Sequence, residues 1–316
     1  MVYEKGLENL KKYFGFNTKG FSNTIKKYND KIDYVYDRVA DIHAAFLDND
    51  VEAIFITIGG SDSIRLLPYL DKDILLNNPK IVLGFSDSTS ILVYLAKLGM
   101  PAFYGPSVMA GFAEPDGLKE EFISHFKSFF FDSWDTYKYP IYSEWTEDRY
   151  GWTDPNFLNR TKKYIKNDGP NVLKKGQVKE GILFGGCLEV LEMLKGTPYG
   201  IDFNDYENMT FFFETSEDKP SLDYVECCLT NYGVAGAWNK VVNLIVSKSR
   251  GYTYSEYKSL EDILEKVIYT RFDGKTENII TNIDIGHTQP MMIFPLGCKF
   301  KIESNQIILT ESPFIN

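Results

Sequence analysis

Apolar and polar residues alternate with two different periods along the first 130 residues, which predicts strands and helices in turn. Apolar runs at 53–58, 81–85 and 102–106 are typical of strands, and the second has the β-branched residues that suit an interior parallel strand. Helical spacing marks the segments around them, among them 3–14, which Gly15 is expected to end. Strands that alternate with helices predict a parallel sheet covered by helices.

The pattern changes between 131 and 179 and then recovers. In that stretch tryptophans lie among Asp, Glu, Lys and Pro without a sustained apolar period, so we interpret 131–179 as a linker with a functional, aromatic loop. Farther on, apolar strands such as 209–214 alternate with helices again, and closing strands are predicted over 294–309. The expected organisation is an N-terminal domain over 1–130 and a C-terminal α/β domain with a β-rich core over 180–316.

Composition narrows the class of protein. A chain of 316 residues exceeds what one hydrophobic core usually organises, which favours two domains. The net charge of −10, without a dense stripe of Lys and Arg, argues against a nucleic-acid partner. Four cysteines without C-x-x-C spacing are expected to be free thiols in a reducing compartment, and no metal site is expected. With no signal-peptide pattern and no apolar run of about 18 residues, we expect a cytoplasmic protein without a membrane partner.

Ser86 lies where a buried strand is predicted to turn into a helix. The apolar residues before Gly84 predict the strand, and Ile91, Leu92 and Leu95 recur at helical spacing after it. In open α/β sheets ligands bind at the carboxyl ends of strands, where an acyl-transfer enzyme would need its nucleophile. The ordinary alternative is that a side chain of this turn only caps the helix, which is the commoner arrangement.

Glu214 and His287 are candidates for the groups that a nucleophilic serine requires. Glu214 ends a strongly apolar strand, and His287 lies in an irregular segment flanked by Gly and Pro. A serine needs a base, and the base needs an acceptor that fixes its tautomer. The alternative for Glu214 is a surface carboxylate that closes a strand, and chain order alone does not establish proximity. The other histidines, His43 and His125, lie in helical, apolar patterns that predict packing roles.

A glycine pair, Gly59 and Gly60, directly follows the first predicted strand. Such a pair allows backbone amides to approach a ligand closely, although alone it is a weak signal. It is not the G-x-G-x-x-G fingerprint of dinucleotide-binding proteins, and no phosphate-binding G-x-x-x-x-G-K-[ST] motif occurs in the chain. We therefore expect no nucleotide cofactor.

The chain resembles the family of serine peptidases that contains the LD-carboxypeptidases and the microcin C self-immunity proteins. The resemblance extends over essentially the whole chain and includes the motifs Gly-Gly-Ser-Asp, Gly-Phe-Ser-Asp and Gly-His-Thr-Gln-Pro-Met. Six separated blocks carry it in the same order, at 58–71, 78–87, 103–106, 185–190, 213–218 and 286–291.

That resemblance implies a role for each candidate. Ser86 corresponds to the family's nucleophile, Glu214 to its orienting acid and His287 to its general base, while Gly60 and Asp87 would offer the amides of an oxyanion hole. It implies a Rossmann-like N-terminal domain that carries the serine and a C-terminal domain that carries the other two, with substrate in the cleft between them. It also implies a homodimer without metal or cofactor.

Two branches of the family differ in substrate, and the sequence leaves both open. One hydrolyses L,D-peptides of murein, and the other cleaves an amide in aminoacyl-nucleotide compounds such as microcin C. The aromatic segment 143–155 resembles the second branch, in which a tryptophan could stack on a purine. We therefore assign Gly59 and Trp152 to substrate binding, with the alternative that Trp152 only fills the space between the domains.

Two departures from the family pattern are expected to matter. About thirty residues with the family's opening strand are absent before the first helix, so the N-terminal sheet is expected to lack its first strand. The alternative function is therefore a catalytically weakened protein that binds peptides or nucleotides. Cys187 stands where many members have asparagine, and we interpret it as structural.

Overall fold

The computed structural model describes residues 1–26, 30–202 and 204–314, and within them a mixed α/β architecture. Local sequence explains several helix ends: Gly15 adopts φ 77° and ends the first helix, and Thr253 and Glu256 form a capping box that begins the last. The helices are α1 Val2–Phe14, α2 Ile32–Leu47, α3 Lys72–Asn77, α4 Thr89–Lys97, α5 Glu120–Phe131, α6 Leu188–Leu194, α7 Leu222–Val234 and α8 Tyr254–Glu265.

Fourteen strands are present in the described part of the chain. They are β1 Ala53–Phe55, β2 Ile81–Gly84, β3 Ala102–Tyr104, β4 Tyr137–Lys138, β5 Glu144–Trp145, β6 Ile165–Lys166, β7 Asn171–Lys174, β8 Glu180–Cys187, β9 Met209–Glu214, β10 Asn243–Ser247, β11 Asn278–Ile283, β12 Phe294–Leu296, β13 Lys299–Glu303 and β14 Gln306–Leu309.

The N-terminal sheet has four strands in the order β1-β2-β3-β12. Its first three strands are parallel, as the sequence predicts, and β1 lies at the edge. The fourth, β12, runs antiparallel to β3 and pairs Phe294 with Tyr104. The prediction that all strands over 294–309 complete the second unit is therefore wrong for β12, because a short apolar run does not encode which sheet it joins.

The C-terminal sheet has eight strands in the order β4-β14-β13-β8-β9-β10-β11-β7. The central strands β8 to β11 are parallel, and the flanking strands pair antiparallel. β9 is buried along its whole length and contributes three consecutive phenylalanines to the core. The stretch 131–179 supplies both edge strands, β4 and β7, in addition to connecting the two sheets.

The mixed α/β fold expected from the sequence is thus confirmed, with a largely parallel N-terminal sheet and a β-rich C-terminal region. Among the segments between the predicted strands, where the sequence predicts helices, Ser63–Tyr69 forms a 3-10 helix that contains Pro68. Within the described ranges, no helix combines the length and the apolar character that a membrane crossing needs.

A buried ion pair holds the ends of β10 and β11 together. Lys248 Nζ lies 2.6 Å from Asp284 Oδ1, and the two side chains are only 1% and 2% exposed. Asn167 donates a hydrogen bond of 2.9 Å to the other carboxylate oxygen. Burial lowers the pKa of Lys248 and raises that of Asp284, so each charge depends on its partner. Because Asp284 precedes His287 by three residues, this pair fixes the base of the loop that carries the histidine.

Replacing Lys248 by methionine should destabilise the protein by about 3–5 kcal/mol, because the carboxylate of Asp284 would stay buried without its cation. Urea unfolding measures the change. The matched control is Lys258→Met, which removes an exposed lysine from an ion pair within helix α8 and should cost far less stability, because exposed ion pairs contribute little. Equal losses in the two variants would contradict the assignment of a special role to the buried pair.

Candidate active site

Ser86 lies two residues after the end of β2 and has a left-handed backbone with φ 61°. A residue other than glycine is strained there, and such strain is typical of a nucleophile placed on a sharp turn between a strand and a helix. A 3-10 turn over Ser86–Ser88 leads into α4, and Thr89 Oγ1 donates to the carbonyl of Ser86. The turn presents the Ser86 hydroxyl at the carboxyl end of the N-terminal sheet.

The structure brings Ser86, Glu214 and His287 together in one hydrogen-bonded row. Nε2 of His287 lies 3.2 Å from Oγ of Ser86, and Nδ1 lies 2.7 Å from Oε2 of Glu214. The serine comes from the N-terminal sheet, whereas the acid ends β9 and the histidine follows β11. The side chains of Glu214 and His287 are 0% and 1% exposed, so water does not compete for their hydrogen bond.

The charges around His287 favour its protonated form. Burial alone would lower the pKa of this imidazole, but the carboxylates of Glu214 and Glu217 outweigh it and raise the pKa to about 9. Glu217 Oε2 lies 2.7 Å from Nε2, on the same ring nitrogen that faces Ser86. The contact with the imidazole holds the pKa of Glu217 well below its usual range.

Tyr104 connects the two halves of the site. Its buried hydroxyl donates to Glu214 Oε1 at 2.6 Å and accepts from the backbone N–H of Ser86 at 3.1 Å. Burial raises the pKa of this phenol well above its usual range, so it stays a donor. The sequence places Tyr104 in a family block but gives no signal of this role, which depends on the end of β3 meeting the end of β9.

Gly286 leaves the space that Glu214 needs. Its φ is 92°, and a Cβ at this position would lie 2.5 Å from Oε2 of Glu214. A side chain at this position would therefore displace the carboxylate that orients His287.

The glycine pair after β1 packs closely against the serine turn. A Cβ on Gly59 would lie 3.0 Å from Cβ of Ser86, and one on Gly60 would lie 3.2 Å from Oδ2 of Asp87. The buried carboxylate of Asp87 accepts from Ser63 Oγ at 2.6 Å and from its N–H at 3.0 Å. Burial raises the pKa of Asp87 despite these bonds. Asp87 thereby anchors the loop that follows the glycine pair.

Trp152 is half-buried and packs against the hydrophobic core. The guanidinium of Arg149 lies 4.4 Å from the centre of its indole ring and donates to Glu217 Oε1 at 2.6 Å. Trp152 is thus connected through Arg149 and Glu217 to the imidazole of His287. The sequence pattern gives Arg149 and Glu217 no catalytic signal, since charged residues in loops are usually solvated.

Cys187 and the other two histidines have surroundings that indicate structural roles. The buried thiol of Cys187 lies 3.4 Å from Glu189 Oε2, and burial raises its pKa well above the usual range. His125 is buried next to the Tyr137 hydroxyl at 2.7 Å, and burial lowers its pKa to about 3. His43 accepts a hydrogen bond from the backbone N–H of Asp71.

Comparison with known proteins shows to which family the chain is similar. Residues 1–105 match the LD-carboxypeptidase N-terminal domain of peptidase family S66, and residues 180–302 match its C-terminal domain. The chain is 29% identical to the microcin C7 self-immunity protein MccF of Escherichia coli, over 93% of this chain and 85% of that protein. It is 31% identical to the putative carboxypeptidase YocD of Bacillus subtilis, over 84% of this chain and 77% of the relative.

Solved structures of MccF and of an MccF-like protein are also similar to this chain. MccF in complex with glutamyl sulfamoyl guanosine has a TM-score of 0.83 at 27% identity, covering 99% of this chain and 92% of that one. An MccF-like protein from Streptococcus pneumoniae in complex with AMP has a TM-score of 0.86 at 26% identity, covering 99% and 94%. The chain therefore belongs to the LD-carboxypeptidase family S66 and is a serine peptidase of that family.

Proposed function

We propose that this protein hydrolyses an amide bond through a Ser-His-Glu triad made of Ser86, His287 and Glu214. The observation that carries the proposal is the row of contacts from the carboxylate through the imidazole to the hydroxyl, at 2.7 and 3.2 Å. A base within hydrogen-bond reach of the serine, oriented by a buried acid, is the arrangement that activates a hydroxyl for attack.

Each side chain has a defined step in the reaction. Neutral His287 takes the proton of Ser86 as Oγ attacks the acyl carbon, and Glu214 stabilises the imidazolium that results. The imidazolium then protonates the leaving nitrogen, the C–N bond breaks, and an acyl-enzyme remains. Water attacks the ester after giving a proton to His287, and the acid product leaves as Ser86 recovers its proton.

The oxyanion of the tetrahedral intermediate is assigned to the backbone N–H groups of Gly60 and Asp87. The close packing of the glycine pair on the serine turn supports this assignment, because a side chain at either glycine would crowd the turn that carries Ser86 and Asp87. The bonds from the 62–63 backbone to the Asp87 carboxylate hold that loop in place. Removing one such donor typically costs about 10²–10³ in rate.

The substrate class is an aminoacyl-nucleotide compound or an L,D-peptide of murein. MccF structures hold glutamyl sulfamoyl guanosine and aspartyl sulfamoyl adenosine, and other relatives are carboxypeptidases by name. Gly59 lies against Ser86, where a substrate backbone would pass, and Trp152 offers an indole face for a purine once Arg149 moves aside. The homodimer and the cytoplasmic location stay predictions.

Ser86→Ala should lower hydrolysis of aminoacyl-sulfamoyl adenosine, or of an L,D-tetrapeptide, by on the order of 10⁴-fold or more, because no other group replaces the nucleophile. Product release measured by chromatography gives the rate, and an unchanged melting temperature shows that the fold is intact. Turnover equal to that of the parent protein would contradict the proposed mechanism. Retained ligand binding, with no turnover by the parent and no fluorophosphonate labelling of Ser86, would favour the weakened binding protein.

Gly286→Ala should lower kcat by about 10²-fold or more, because its Cβ would displace the carboxylate of Glu214 and release the orienting bond to His287. The matched control is Gly196→Ala, which has φ 77° and no atom within 4 Å of the added Cβ. The control should lose only about 1 kcal/mol of stability and keep its rate. A similar loss of rate in both variants would argue that backbone strain, and not displacement of Glu214, causes the effect.

The rate at which a fluorophosphonate labels Ser86 in the ligand-free enzyme should rise with pH and level off near the His287 pKa of about 9. Below that pKa the imidazole is mostly protonated and cannot accept the serine proton, so the rate should fall about tenfold per pH unit. Active-site labelling followed by mass spectrometry measures the profile, and Ser86→Ala corrects for non-specific reaction. A rate that is constant between pH 6 and 9 would contradict the two-carboxylate environment of His287.

A further inference from the structure

Two acceptors compete for one ring nitrogen of His287. Glu217 Oε2 lies 2.7 Å from Nε2, whereas Oγ of Ser86 lies 3.2 Å from it. Because Nδ1 is already bonded to Glu214, an imidazolium can donate both of its protons to carboxylates. In the ligand-free site the base is therefore engaged by Glu217 more closely than by the nucleophile.

Of the two carboxylates on His287, Glu217 is the one that a ligand can reach. Its side chain is 36% exposed, whereas that of Glu214 is 0% exposed. Its second partner, Arg149, belongs to the aromatic segment and lies over Trp152, the proposed purine platform. Glu217 therefore links the imidazole next to Ser86 to the proposed purine platform.

The position of Glu217 matches one particular group of a substrate. In an aminoacyl compound, the carbon next to the attacked carbonyl carries a free ammonium group, and reacting atoms approach to about 3–3.5 Å before attack. Since Oγ of Ser86 and Oε2 of Glu217 both contact Nε2, an acyl group placed for attack by Ser86 carries its ammonium within reach of Glu217. We propose that Glu217 binds the free α-ammonium group in the acyl half of the substrate and thereby selects aminoacyl compounds over peptides. This proposal rests on the hydrolase function proposed above.

The contact between Glu217 and the substrate ammonium would also convert His287 to its neutral form, which can act as a base. The ammonium supplies up to three N–H donors to Glu217 and replaces the imidazolium as its partner. His287 then loses the carboxylate that favours its charged form, releases its Nε2 proton to water, and can accept the proton of Ser86. An L,D-peptide lacks this trigger, because the α-nitrogen beside the attacked carbonyl is an uncharged amide.

The charged and titratable groups on this side of the fold come from several elements. Those that face His287 or Glu217, directly or through one neighbour, are Ser86 after β2, Tyr104 at the end of β3, Arg149 in the aromatic segment, Cys187 at the end of β8, Glu214 at the end of β9 and Arg250 after β10.

Binding to the Ser86→Ala protein tests the proposal without turnover. Two ligands are compared by calorimetry: alanyl sulfamoyl adenosine, and propionyl sulfamoyl adenosine, which lacks only the amino group. In Ser86→Ala the amine should improve affinity about 10- to 100-fold. In the double variant Ser86→Ala/Glu217→Gln, the preference for the amine should fall to less than about threefold. The control is the double variant Ser86→Ala/Glu303→Gln, which changes an exposed carboxylate of β13 and should keep the full preference for the amine.

A second measurement separates ligand binding from a merely structural effect. With Ser86 present, Glu217→Gln should shift the midpoint of the fluorophosphonate pH profile to lower pH, because one of the two carboxylates on the imidazole is gone. An amine preference that survives Glu217→Gln, a midpoint that does not move, or an absence of binding by both ligands would overturn the proposal. Failure of the hydrolase function is distinct, since it would appear as equal turnover by the parent and Ser86→Ala.

Discussion

The carboxylate of Glu214 joins the two sheets of the molecule. One oxygen accepts from Tyr104 at the end of β3, and the other holds His287 after β11. Because the carboxylate is fully buried, both hydrogen bonds act without competition from water, and losing either one would leave a buried polar group unsatisfied. The arrangement of the site thus depends on one acid whose partners come from opposite halves of the chain.

The surroundings of this acid are adapted to it. Gly286 has no side chain where Glu214 lies, and the buried pair of Lys248 and Asp284 fixes the strand ends from which the histidine loop departs. On the other side, Asp87 anchors the loop that carries Gly60. These contacts fix the loops at the ends of the strands and so hold the side chains of Ser86, Glu214 and His287 in place relative to one another.

Local pattern was sufficient for the fold class and for most elements, because parallel strands that alternate with amphipathic helices leave a strong periodic signal. It did not reveal that β12 joins the N-terminal sheet or that 131–179 supplies two edge strands, since two- to four-residue strands carry little periodicity. The candidate triad residues came from motifs. Tyr104 and Glu217 lie within the family blocks, but neither these blocks nor the loop of Arg149 indicates the roles of the three residues, because their contacts form only when distant segments meet.

The pairing of β12 with β3 has a consequence for the order in which the protein is built. The strand that closes the sheet of Ser86 comes from residues 294–296, far along the chain from β3, with which it pairs. Because chains emerge from the ribosome amino end first, the serine turn leaves it long before its histidine and before the last strand of its own sheet. The contact between Ser86 and His287 therefore cannot form until the segment that carries β11, His287 and β12 has been synthesised.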